Sequence, residues 1–242
     1  MKQFITLAIT TIILATSIQA QGLKDLIKKA TTATKGSNIN SLTTDEVGKG
    51  LKEALAIGVK KGAEQLSSVD GFLGNTAVKI LLPPEAQKVA QKLRALGFNK
   101  QVDDAIVSMN RAAEDAAKSA APIFVNAITS MSITDAFGIL KGGDSAATTY
   151  LKSTTTIALT AAFAPVIDSS LAKVGASQLW SALFAQYNKI PFVKKVNPDL
   201  KGYVTDRALY GMFYQVAQEE AKIRENPAAQ TTDLLKKVFG TK

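Results

Sequence analysis

The side chains best placed to do chemistry in this chain are carboxylates. Glu219 and Glu220 stand side by side in a segment whose apolar residues, Leu209, Met212, Phe213, Val216 and Ile223, recur at helical spacing. At about 100° per residue both glutamates fall within the apolar arc, one toward each side. A bare carboxylate is too costly to bury, so each needs a cation or hydrogen bonds. Arg94, Arg111, Arg207 and Arg224 are the guanidiniums that could supply them. Paired carboxylates can act as acid and base, or take Ca²⁺ or Mg²⁺ through hard oxygen ligands. They can equally form a buried structural ion-pair network, and both readings stand at this level.

A second polar group is Asn110, Arg111 and Glu114. It borders a stripe made of Val102, Ala105, Ile106, Met109, Ala112, Ala113, Ala116 and Ala117. Asn110 and Glu114 flank the stripe and Arg111 points further from it. Arg111 with Asp115, and Glu114 with Lys118, have i,i+4 spacing for ion pairs. The group is either a cluster lining a cleft or a salt-bridged border that docks a neighbouring helix. Together with Glu219, Glu220 and Arg224 these are the candidate binding residues. The pattern assigns no catalytic residue, no metal ligand set and no cofactor.

Two glycine turns have a weaker claim. Lys141-Gly142-Gly143-Asp144-Ser145 opens a helix, and such a turn presents free amides to a phosphate or carboxylate. It lacks the Lys-Ser/Thr of a P-loop, and no strand precedes it. Asp144 there would repel an anion, and it or Ser145 can cap the helix. Asp70-Gly71-Phe72-Leu73-Gly74-Asn75 lacks the alternating oxygens and closing Glu of a calcium loop. It reads as a structured turn that Phe72 and Leu73 anchor to the core.

What the 242 residues lack narrows the chemistry further: there is no histidine and no cysteine. This excludes imidazole proton transfer, thiolate nucleophiles, imidazole or thiolate zinc sites and disulfides. Lys and Arg outnumber Asp and Glu by 29 to 20, giving +9. Such a surface favours an envelope protein partner or an anionic glycan or lipid surface.

The first residues read as a secretory leader. Lys2 is a short positive region, Phe4 to Ala15 is an apolar run, and small residues precede a cut after Ala20. An exported chain has nucleic acid as an improbable partner. Periplasmic placement follows, with an extracellular one as the alternative. The organisation expected is a leader over 1–20, a short amphipathic segment and linker over 21–41, and a helical domain over 42–240. No segment after the leader is read as apolar enough to span a membrane; Thr154 to Ile167 is short and Thr-rich.

The elements that must position these residues are helices. Thr43 and Glu46 form a capping box for a helix carrying Leu51, Leu55, Val59 and Leu66, with Gly58 and Gly62 open to close approach by another helix. Residues 67–83 are irregular, and Pro84 starts a helix that Gly97 ends. A helix over 100–121 breaks or kinks at Pro122. Further helices are read over 123–131, over 134–141 with Ser132 and Asp135 capping, and from 144 or 145 to 174, kinked near Pro165. Others run over 177–188, from Pro198, capped by Asn197, to about 225, and from 231 or 232 to 238. Trp180, Tyr203, Tyr210, Phe213 and Tyr214 read as core packing. The fold class expected is all-α: a single compact domain of roughly eight or nine helices with no significant sheet.

Several phrases taken together carry a resemblance. Among them are Asp70-Gly71-Phe72-Leu73, Met109-Asn110-Arg111-Ala112-Ala113-Glu114, Ala146-Ala147-Thr148-Thr149-Tyr150-Leu151, Asn197-Pro198-Asp199-Leu200, Glu219-Glu220 with Ile223-Arg224, and Thr231-Thr232-Asp233-Leu234-Leu235. Over about Leu42 to Gly240 the chain resembles the bacterial "domain of unknown function 4197" family. That resemblance implies an exported, all-helical protein of unassigned activity, with no catalytic residues to carry over. The leading expectation is a non-enzymatic binding or structural protein of the cell envelope. The alternatives are a carrier of a small apolar or anionic ligand, held beside the Ala/Thr-rich helix of 146–164, and a carboxylate hydrolase using Glu219 and Glu220.

Overall fold

Helices begin where the sequence supplies caps. The computed structural model describes residues 43–225 apart from 190, 193 and 198. The leader, the segment and linker after it, and the last short helix read through Val238 lie outside these residues. Thr43 and Glu46 close a reciprocal capping box on α1 (Thr44–Ser67), and Ser132 and Asp135 do the same for α5 (Ile133–Lys141). Pro84 occupies the first turn of α2 (Pro84–Ala95). Gly97 (φ 93°) follows that helix in the left-handed region, as Gly175 (φ 68°) follows α6 (Ala146–Lys173).

The helix read over 100–121 ends earlier than expected. α3 spans Asn99–Ala117 and α4 spans Ala120–Ser130, which puts Pro122 in the first turn of α4 rather than at a break after residue 121. A proline has no N–H to donate and is tolerated where the donor would be orphaned anyway, so the chain restarts its helix just before it. α6 continues through Pro165. α7 is Ala176–Tyr187 and α8 is Leu200–Glu225. The described residues thus hold eight helices and no strand. They fall within one compact all-α unit running from Leu42.

α6 is the central helix. It packs most extensively against α3 and α8, and also meets α4, α5 and α7. Leu151, Leu159, Phe163, Ile167 and Leu171 on it are fully buried. Phe124 of α4 meets Phe213 of α8 edge-to-face at 5.9 Å. Contrary to the expectation of no further spanning segment, α6 is long and apolar enough to cross a membrane by length and composition. The apolar stretch that meets this measure is longer than Thr154–Ile167. The centre of a helical bundle selects the same composition.

α2 and α7 are peripheral: α2 packs chiefly on α3, and α7 on α6 and α8. The irregular stretch between α1 and α2 forms no sheet, as its isolation predicts. The aromatic group is mostly core, with one correction. Tyr210 lies at the surface, stacked on Tyr214 at 6.5 Å with the Arg207 guanidinium 4.6 Å over its ring. Arg207 reaches that face from one turn earlier on α8, which gives the ring a partner outside the core.

Candidate functional site

The candidate residues fall into three groups, and no hydrogen bond or ion pair among the described residues joins one group to another. The first is Asn110, buried on α3. Its amide oxygen accepts from the Ile80 N–H at 2.8 Å, and its Nδ2 donates to the Ile80 carbonyl at 2.8 Å and to the Ile106 carbonyl at 2.7 Å. One side chain thus plays the part of a neighbouring strand and satisfies an extended segment that has no sheet to join.

In the second group, Glu114 Oε1 accepts from the Phe72 and Leu73 N–H groups at 3.1 Å each. Its Oε2 takes Arg111 Nη1 at 2.6 Å, and Arg111 Nη2 reaches Asp70 Oδ1 at 2.7 Å. Arg111 therefore does not pair with Asp115, nor Glu114 with Lys118; Lys118 pairs with Asp115 at 2.8 Å. The reason is tertiary: the Asp70 turn, with φ 66° at Asp70, folds back over α3 and captures Arg111 and Glu114. The turn's Asp70 carboxylate is thus taken by Arg111 and its Phe72 and Leu73 amides by Glu114.

The third group is Glu219, Glu220 and Arg224 on α8. The glutamates are 6% and 3% exposed, as the helical spacing predicts. Glu219 accepts from Lys222 at 2.6 Å and sits where Gly58 and Gly62 of α1 let α8 approach. Glu220 accepts the Ala147 N–H at 3.0 Å, and the Thr148 N–H and hydroxyl at 2.8 Å each. Arg224 donates Nε and Nη2 to the same carboxylate and Nη2 to the Ile139 carbonyl at 3.1 Å. Neither Asp144 nor Ser145 caps α6 by a side chain. Glu220 takes the place of the phosphate to which such a turn could have offered its free amides.

Sequence reasoning missed the concave sites. An apolar cavity of about 320 Å³ lies between α2, α3 and α7. Trp180 and Phe184 of α7, Leu82, Val89 and Leu93 on the α2 side, and Met109 of α3 form its wall. A groove of about 630 Å³ adjoins it, sharing Asp104, Ser108 and Val174 and bordered by Arg111, Glu114, Asp115, Lys118 and Ser170. The Ala/Thr-rich helix does not wall the cavity; only Val174, just past its end, does. Of the six candidates, Arg111 and Glu114 border the groove, while Asn110, Glu219, Glu220 and Arg224 line neither space. Among the described residues no group of three or more carboxylates could hold a metal ion.

No curated protein and no solved structure matches the chain. Residues 41–240 match the family described as "Protein of unknown function (DUF4197)". The match covers the whole helical domain, including the motifs at Asp70, Asn110, Glu220 and Thr231, so the chain belongs to the DUF4197 family.

Proposed function

We propose that the protein is a non-enzymatic binding protein of the cell envelope that carries an amphiphile. The apolar part sits in the cavity between α2, α3 and α7, and the polar end lies over Asp104 and Ser108 in the adjoining groove. The observation that carries this reading is the adjacency of the two spaces, which share Asp104, Ser108 and Val174, the one walled by apolar side chains and the other bordered by charged ones. A space of this size with a hydrophobic wall and a few polar groups at its edge is what small-ligand sites share. Asp104, Glu114 and Asp115 outnumber Arg111 and Lys118 around the groove, which favours a head without net negative charge over an anionic one. Export is supported by the leader sequence of residues 1–20. The hydrolase alternative loses support because Glu219 and Glu220 hold helices together away from both spaces.

Trp180 is the only tryptophan and lies in the cavity wall, so its emission reports on the site without a label. Titration with dodecanol should give a saturable change in Trp180 emission, and laurate should give a weaker one. Ala105→Phe, which fills the cavity from α3, should abolish both. Unchanged emission with either compound, or the same response from Ala105→Phe, overturns the reading.

A further inference from the structure

We infer that the loop between α7 and α8 is a wedge that docks the protein on an anionic lipid surface. Phe192 at its tip is 107% exposed, more so than any other large apolar side chain among the described residues. Its φ of 61° lies in the left-handed region, which a bulky side chain rarely adopts. Strain of this kind persists only where the surroundings impose it, and it gathers at functional positions. Here the surroundings are visible. Asn188 Nδ2 donates to the Val196 carbonyl at 2.7 Å, and Asn188 Oδ1 accepts the Val196 N–H at 2.8 Å. Trp180 Nε1 donates to the Asn197 carbonyl at 3.1 Å, and Lys194 reaches Glu85 of α2 at 2.7 Å. These contacts tie down Asn188, Lys194, Val196 and Asn197 on either side of Phe192, whose ring stands outward.

The charge around that projection selects its partner. Lys195 and Lys201 follow the tip in the chain, against Asp199, while Lys194 is paired with Glu85. A lone aromatic flanked by lysines suits a lipid interface, where the ring enters the boundary between headgroup and acyl chain while ammonium groups meet anionic headgroups. A protein partner would instead need a broad complementary patch of about 800 Å² per side, which a single projecting side chain does not offer. Shallow entry also leaves the loop's backbone polar groups hydrated. The loop joins the two helices that give Trp180, Phe184 and Leu200 to the cavity, so docking would bring the cavity beside a store of amphiphiles. The docking itself does not require the cavity to be filled.

The test is sedimentation of the protein, as recovered from producing cells, with vesicles of phosphatidylglycerol and phosphatidylethanolamine or of phosphatidylcholine alone. Binding should favour the anionic vesicles and weaken with added salt. Phe192→Gly, which relieves the left-handed strain and so keeps the fold, should lower anionic-vesicle affinity by about tenfold. It should leave the Trp180 response to dodecanol unchanged. Ala105→Phe should lose the dodecanol response and still sediment with vesicles. Phe192→Gly sedimenting like wild type, equal binding to phosphatidylcholine vesicles, or no vesicle binding at all overturns the docking inference, whatever the cavity does.

Discussion

Burying the Glu220 carboxylate is affordable because five donor contacts converge on it, from two backbone amides and a hydroxyl of α6 and from two nitrogens of Arg224. Glu220→Gln keeps the shape but turns an acceptor into a donor among donors, and leaves the largely buried Arg224 unpaired. Breaking a buried pair from one side costs about 3 kcal/mol. For a chain of this size that should lower the melting temperature by roughly 6–12 °C, read by circular dichroism. Arg94→Ala, which breaks an ion pair at the surface, should leave the melting temperature unchanged. The burial of Glu219 and Glu220 was legible in the helical spacing of their neighbours. Their partners were not: the amides that Glu220 caps lie 73 and 72 residues away in the chain, a distance no local pattern spans. The Asn188 clamp and the outward Phe192 were hidden for the same kind of reason, since side chain-to-backbone pairing across a loop leaves no periodic trace.

Helix packing turns on which glycines face a neighbour. Gly211 on α8 faces Phe72, and a Cβ there would come within 2.5 Å of the ring and 3.3 Å of Val78. Gly211→Ala gains about 1 kcal/mol of helix propensity but overpacks the core by roughly 1–3 kcal/mol, so net destabilisation is expected. Gly138 on α5 meets nothing within 4 Å. Gly138→Ala should therefore stabilise the protein by about 1 kcal/mol through propensity alone. Urea unfolding of the two variants should move the midpoint in opposite directions, and a shift of the same sign would contradict this account of the α8 packing. Helix starts and stops were readable because caps, prolines and glycines act locally, as at Thr43, Ser132, Pro84 and Gly175. The junction of α3 and α4 was misplaced because it depends on where a helix can restart around Pro122. The cavity was invisible because it exists only once α2, α3 and α7 come together.

For the molecule as a whole, the absence of histidine sets the pH response. Asp115 is held below the usual carboxylate range by its hydrogen bond from Lys118, Asp135 by Ser132 and Glu85 by Lys194. A depressed carboxylate contributes stability that is fully present above its unfolded value, about pH 4, and is lost as pH falls through the folded value. Tyr150 and Tyr203 are pushed up by burial. Their contribution is fully present below about pH 10 and is lost as pH rises through the folded value. Between these limits no side chain titrates at its ordinary pKa, because the only one that would is missing. The melting temperature should therefore be flat from about pH 5.5 to 8.5. The acid limb should be the steeper one. As carboxylates protonate, the formal charge climbs from +9 toward the +29 of the lysines and arginines alone, and self-repulsion adds to the lost pairs. Added salt should soften the acid limb and leave the plateau in place. A slope within the plateau, measured by thermal melts across that range, would contradict this account of the pH response.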